Sequence, residues 1–426
     1  MTQDRIVSAF DRLSQILVSY APDIDISLTA DQLEMRDALD TQIRIAGEKN
    51  PWFTKENVHY ALYQWGKDLT RSALTQWLDK YATGDLPGVS TSLIDENLVP
   101  HSNSDVQDTG NYASAKANTE ANKHGAPDRA FRGSDNIIPT WTDSPSRIGV
   151  ILAGNIPMVG WHDLLSILIT GNHAVIKYSS DDEHLTPFLL QLLQFMEPEV
   201  KDCISVVQQK LEGYDAVIAT GSNNSARYFE YYFKDVPHVI RHNRNSVAVL
   251  DEDATVAQVE PLGEDIFRYF GLGCRSVSKI YVHESLDIDV FFKAIFPWQE
   301  LINNSRYANN YDYNKAVYLM SEYDLLDNGF LLLNPSTSNA SPIATLNYER
   351  YSNVDALTHH LRQDAENLQC VVATAGVINE LQASLADLPA PQVVSPGQSQ
   401  APRLWDYADG VDTISWLSQL KTFAEA

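Results

Sequence analysis

The stretch RIGVILAGNIPMVGWHDLLSILITGNHAVIKYSS, Arg147 to Ser180, divides into four pieces. RIGVILA is an unbroken apolar run that reads as a buried strand, and AGNIPMVG brings together the residues that turn a chain. WHDLLSILIT then reads as a helix with Gly171 as its C-terminal cap, and AVIKY as a second strand. The pattern continues through a helix around Leu185 to Met196, strands at ISVV and DAVIAT, a helix from Ser225, and strands at HVIRH and SVAVLD. Short apolar strands alternating with helices are βαβ units, so the fold class is α/β with a parallel sheet. Such sheets take ligands at the carboxyl ends of their strands. The loops that fall there are Gly154–Asn155, Ser179–Ser180 and Thr220–Gly221–Ser222.

Outward from this core the chain changes character. Near the start, Ile6, Phe10, Leu13, Leu17 and Tyr20 recur at spacings of four and three, and Val58, Leu62, Trp65, Leu69, Leu74 and Leu78 repeat the theme. Both runs predict amphipathic helices that serve as a packing layer. Residues 101–135 are rich in Ser, Asn, Ala, Gly and Asp and nearly free of large aliphatic side chains, which predicts a flexible polar insert. After Pro261 a helix over Leu262 to Phe270 leads into a second α/β region that runs to about 400. The closing run RLWDYADGVDTISWLSQL predicts a loop, a short strand and a helix.

Composition bounds what the molecule meets. The 426 residues are 44% hydrophobic and 20% charged, which describes a globular chain large enough for two or three cores. A formal charge of −25 repels nucleic acid and anionic membranes, and no apolar run approaches the roughly 18 residues of a membrane span. MTQDRIVSAFDRLSQ is acidic and lacks the apolar core of a secretory signal. Three cysteines in so long a chain argue against a disulfide framework, and a cytoplasmic location is expected. No metal site is expected.

The strongest candidate for chemistry is Cys274, in FRYFGLGCRSVSKIYV (Phe267 to Val282). A cysteine on a glycine-loosened loop feeding a strand has the access and the nearby backbone N–H groups that a thiol nucleophile needs. Cys370 sits in an apolar strand and Cys203 at the edge of one, both bland settings. Arg241, His242 and Arg244 form a local basic patch that reads equally as a set of ion pairs, and His162 reads as a capping or core histidine.

Taken in order, AGNIPMVG, VIKYSS, ATGSNNSARYF and GLGCRSVSKIYV resemble the loops of the aldehyde dehydrogenase superfamily, specifically its LuxC-type acyl-CoA reductase branch, over roughly Arg147 to Leu420. The resemblance implies a Rossmann-type cofactor domain and a second α/β catalytic domain. It implies that Cys274 is acylated and that Asn155 donates in the oxyanion hole. It also implies that Lys177, Ser179 and Ser180 meet the cofactor ribose and phosphate, and that Gly221 and Ser222 lie under the pyrophosphate. The division that follows is a helical region at 1–100 packing on the cofactor domain, the insert at 101–135, an NADP-binding domain at 136–260, a catalytic domain at 261–400 and a closing segment at 401–426.

Two departures bear on direction. The superfamily's water-activating glutamate falls at Ile240 in VIRHNRNSVAV, and a second glutamate that steadies the nicotinamide ribose is missing from Ser336 to Ala344. Both losses fit reduction of an acyl thioester, from acyl-CoA or an acyl-carrier protein, to an aldehyde. An oxidative aldehyde dehydrogenase and a non-catalytic nucleotide-binding protein on the same fold are the alternatives. A neutral Ser180, where NAD-preferring relatives carry an acid, points to NADPH, although Asp181 and Asp182 follow directly. Superfamily relatives pair their subunits, so a homo-oligomer is expected.

Overall fold

The computed structural model describes residues 1–22, 26–83, 140–321 and 324–424, so the polar insert expected at 101–135 lies outside the described residues. The chain opens with four helices, α1 (Gln3–Leu17), α2 (Ala30–Lys49), α3 (Lys55–Asp68) and α4 (Arg71–Thr83). Thr29 and Gln32 cap α2 reciprocally, and the Thr54 hydroxyl accepts from Asn57 N to start α3. The stripe Ile6, Phe10, Leu13 and Leu17 is buried as its spacing requires, in one apolar core with Val58 and Leu62 of α3. Gly66 lets α3 cross the end of α1 closely, since a Cβ there would lie 2.6 Å from Val18 N.

The first sheet follows as β1 (Arg147–Ile151), α5 (Trp161–Ile169), β2 (His173–Lys177), α6 (Leu185–Met196), β3 (Ile204–Val206), β4 (Ala216–Thr220), α7 (Asn223–Phe233) and β5 (His238–Arg241). Its strand order is β3-β2-β1-β4-β5, parallel throughout. The chain therefore winds to one side of β1 and then to the other, and a crevice opens at the carboxyl ends of β1 and β4. Gly171 caps α5 as expected: at φ 81 it donates to Leu168 O, while Asn172 N reaches back to Ile167 O. The core of the N-terminal helices is continuous with one face of this sheet through Ile148, Val150, Leu164 and Leu168.

The second sheet is built from β6 (Asn245–Leu250), α8 (Val256–Val259), α9 (Leu262–Phe267), β7 (Val277–His283), α10 (Ile288–Ile295), α11 (Ser305–Met320), β8 (Leu326–Asp327), β9 (Leu332–Pro335), β10 (Thr345–Tyr351), α12 (Val354–Gln363), β11 (Leu368–Ala373), α13 (Ile378–Leu385) and β12 (Gln392–Val394). Its order is β12-β11-β6-β7-β10-β9-β8, parallel except for β8 against β9. Sheet membership thus changes between Arg241 and Asn245, not near the expected boundary at 260. β5 pairs with β4, whereas β6 pairs with β7 and β11. Two apolar strands three residues apart look like neighbours in sequence, and only their pairing separates them.

The helix expected over Leu262 to Phe270 ends at Phe267, and the backbone turns left-handed at Tyr269. The short strand expected before the last helix does not form. Asp409 and Gly410 turn there at φ 58 and 67, and α14 (Thr413–Ala424) returns Ile414 and Leu417 to the first core. Among the described residues no helix is long and apolar enough to cross a membrane.

Because the two atoms nearest a Cβ at Gly66 are backbone and cannot step aside, Gly66→Ala should destabilise the protein by about 1–3 kcal/mol, the usual range for overpacking. Thermal denaturation measures it, and an unchanged Tm would mean that α1 and α3 are not held this closely.

Candidate active site

A cavity of about 720 Å³ lies between the two sheets. One wall consists of the chain just beyond β1, β2, β4 and β5, including Asn155, Ser179, Gly221 and Ser222. The opposite wall carries Cys274 and the segment around Leu404 to Asp409. Five of the seven expected site residues therefore face one space. Lys177, the last residue of β2, and Ser180, next to Ser179, do not line it; Lys177 is half-buried and Ser180 exposed. α3 supplies a further wall through Ala61, Gln64, Trp65 and Asp68, one helical face that the sequence presented only as core packing. Burial there pushes the Asp68 carboxyl up to about 6.

The loop that carries Cys274 is held from several sides. Tyr269, Phe270 and Gly271 are all left-handed, at φ 56, 58 and 75. Arg268, just before them, grips Glu264 with Nε and Nη2 at 2.6 and 2.9 Å and lies 4.3 Å over the Tyr60 ring. The Phe270 ring packs against Trp52 and Tyr307. Beyond the turn, the Ser246 hydroxyl donates to Cys274 O at 2.9 Å and accepts from Cys370 N at 3.1 Å. Arg275 donates to Cys370 Sγ, Gln392 Oε1 and Asp406 O. Asn155 joins the two walls: its side-chain amide donates to Leu272 O at 2.8 Å. The second hydrogen of that amide remains for a ligand.

Burial is the main reason that the Cys274 thiol is pushed up to about 11; Arg275 opposes the shift, while Asp409 and Cys370 add to it. Cys274 is thus a protonated thiol at neutral pH. Asp409 is bound through one oxygen to Arg244 Nε at 3.0 Å, and its other oxygen is buried without a partner. Burial raises its own carboxyl pKa. Arg241 is not a free cation for phosphate, because it is buried with Nη2 2.7 Å from Asp163 Oδ1. Arg244 is paired with Asp409, and exposed His242 lies 3.3 Å from Glu230, so both arginines of the basic patch are held in ion pairs.

His162 is half-buried and lines the cavity, with its ring held by neighbours. Its Nε2–H donates to Leu404 O at 2.7 Å, Trp77 and Tyr407 pack on its ring, and burial lowers its pKa. Ile240 packs in the apolar cluster of Val217, Phe229 and Phe233, while the residues of that run on the cavity wall are Arg241, His242 and Asn243. A side chain at 240 therefore points away from Cys274. Alternation along β5 fixes this direction, and the sequence comparison by position did not weigh it. The residue that sequence reading missed most plainly is Asn50, whose amide reaches both Gly154 O and Asp181 O.

Residues 142–303 match the family model described as acyl-CoA reductase (LuxC), a span that encloses all seven site residues. Long-chain acyl-protein thioester reductase 2 of Photobacterium leiognathi is 23% identical over 194 residues, 41% of this chain and 40% of that protein. The chain thus matches well under half the length of this curated relative. Among solved structures, aldehyde dehydrogenase 21 from Physcomitrella patens, in complex with the reaction product succinate, superposes with a TM-score of 0.55 at 12% identity, covering 94% of this chain and 82% of that one. The substrate-bound AldH of Staphylococcus aureus covers 92% and 80% with a TM-score of 0.48 at 15% identity. The chain resembles the LuxC acyl-CoA reductases over residues 142–303 and has an aldehyde-dehydrogenase-like fold.

With the Cys274 thiol pushed up to about 11, its alkylation by iodoacetamide should speed up about tenfold per pH unit between pH 7 and 10, following the thiolate fraction. Asp409→Asn removes a charge that opposes ionisation, so it should move this profile to lower pH. A rate independent of pH across that range would mean that the thiolate is already present at neutrality.

Proposed function

We propose that this chain reduces an acyl thioester to an aldehyde, with NADPH as reductant and an acyl-Cys274 intermediate. The observation that carries the reading is the convergence of Cys274, Asn155 and the Gly221–Ser222 turn on one cavity. The curated relative, a thioester reductase by name, supports the choice of substrate class.

The residues present fit a dinucleotide. Gly221 is packed so tightly that a Cβ would lie 2.8 Å from Ser225 Cβ and 2.9 Å from Phe229 Cε2, which leaves the turn bare for a close approach. The Ser222 hydroxyl caps α7 by accepting from Ser225 N, and both serines line the cavity, so the amino end of an 11-residue helix opens onto it. Such an end favours phosphate. Lys177 makes no ion pair or side-chain hydrogen bond among the described residues, as a ribose partner requires. Asp182 is committed to capping α6, accepting from Leu185 N and Thr186 Oγ1. That leaves neutral Ser180 and exposed Asp181 to select the cofactor.

When bound, the reduced nicotinamide supplies the hydride. The chain's own part begins with Cys274 sulfur attacking the acyl carbon. The Asn155 amide and the Cys274 backbone N–H hold the oxyanion. The bond to the donor sulfur breaks, and the thiol proton leaves with that sulfur. The Cys274 proton ends on the donor sulfur, which departs as a free thiol, so the exchange balances without a separate base. After reduction the same two donors hold the second oxyanion, and its collapse releases the aldehyde and frees Cys274.

The test is to mix the protein and NADPH with acyl-CoAs of graded length, and separately with acyl-carrier protein, and to follow cofactor absorbance. Cys274→Ala should abolish both reduction and labelling by radioactive acyl donor while cofactor affinity stays within a few-fold. Asn155→Ala should cost about 10²–10³ in kcat, the usual loss for one oxyanion donor. Asp181→Asn should improve KM for NADPH relative to NADH, because it removes an exposed, cavity-lining carboxylate from the loop that would meet a 2′-phosphate. Labelling that persists at Cys203 or Cys370 in the Cys274 variant would overturn the assignment.

A further inference from the structure

Asn50 follows α2 and belongs by sequence to the helical layer, far from every loop with a proposed chemical role. Yet it is buried at 8% exposure, and each of its polar groups is used. Its backbone N–H donates to Ala46 O at 2.7 Å and its carbonyl accepts from Phe53 N at 2.8 Å. Its side-chain oxygen accepts from Trp52 N at 3.2 Å. The side-chain Nδ2 donates to Gly154 O at 3.1 Å and to Asp181 O at 3.2 Å.

We infer that Asn50 is the positioning residue that sets the oxyanion loop against the cofactor loop. The two carbonyls it binds come from different βα connections, one following β1 and one following β2. Gly154 O belongs to the peptide that begins Asn155, so fixing that carbonyl fixes the plane from which Asn155 departs. The loops themselves touch at a glycine: a Cβ at 154 would lie 2.8 Å from Ser179 Oγ and 2.9 Å from Asp181 Cβ. Contact at that point sets how near the loops come, and Asn50 sets their orientation. Its own orientation is fixed in turn, because Trp52 N holds the amide oxygen and leaves both N–H groups for the loops. A carboxylate of the same shape would keep the Trp52 bond and repel both carbonyls.

This inference rests on the proposed roles of Asn155 and Ser179, so the experiment carries a readout that does not need turnover. Asn50→Asp is compared with Leu39→Ala, which opens a cavity in the same helical layer at a fully buried position remote from the loops. Amide hydrogen exchange is followed over residues 152–158 and 178–184, and kcat and KM are measured well below each variant's Tm. Asn50→Asp should speed exchange in both segments by at least about tenfold and lower kcat by about 10–100-fold, the scale of an ångström-sized misplacement. Leu39→Ala should lower Tm as much or more and leave exchange in both segments and kcat within about twofold. Should Asn50→Asp fail to fold, Asn50→Ser, which lacks the reach, is measured in the same way with the same expectation. Unchanged exchange in either segment, or equal effects from Leu39→Ala, overturns the inference. A wild-type protein that reduces no thioester would overturn the proposed reaction alone, since exchange still decides the role of Asn50.

Discussion

The left-handed run Tyr269–Phe270–Gly271 is the constraint on which the position of Cys274 depends. Left-handed backbone costs about 1–2 kcal/mol at each residue with a Cβ, and two of these three carry aromatic side chains. Nothing local repays that. The compensation comes from the Arg268 guanidinium, bound to Glu264 and covered by Tyr60 and Trp298, and from the Phe270 ring between Trp52 and Tyr307. Trp52 and Tyr60 come from the N-terminal helical layer. That layer, which in sequence is merely amphipathic, thereby supports a turn more than 200 residues downstream.

The electrostatic design is one of paired charges around a suppressed thiol. In a chain carrying 56 acidic against 31 basic residues, three arginines at or near the cavity are committed to carboxylates, Arg241 to Asp163, Arg244 to Asp409 and Arg403 to Asp406, while Arg275 is held by Cys370 Sγ, Gln392 Oε1 and Asp406 O. Two consequences follow. Long-range attraction of an anionic ligand is weak, so the amino end of α7 must do that work at short range. The burial that raises the thiol also protects it from adventitious oxidants, because a neutral thiol is a poor target.

Much of this was legible in sequence wherever a local rule sufficed. The apolar run and Gly171 give α5 and its cap, and the spacing of Ile6, Phe10, Leu13 and Leu17 gives the buried face of α1. Glycine and serine after apolar strands give the loops that meet at the cavity. What stayed illegible depends on pairing or on long-range contact. The partners of β6 are other strands of the second sheet, and no local pattern reports them. Ile240 matched by position but faces away, since the pleat of β5 decides direction. Asn50 carries no signal at all: a polar residue after a helix is ordinary, and its role exists only because two distant loops arrive beside it.

The Asn155 amide bond to Leu272 O joins a loop of the first sheet to a loop of the second. At 2.8 Å it tolerates little movement: parting the walls by about 1 Å exceeds hydrogen-bond range. Any form in which the two walls part is therefore one in which Asn155 has let go of the Leu272 carbonyl. The bond acts as an interlock between the two sheets, tying their relative position to a single side-chain amide.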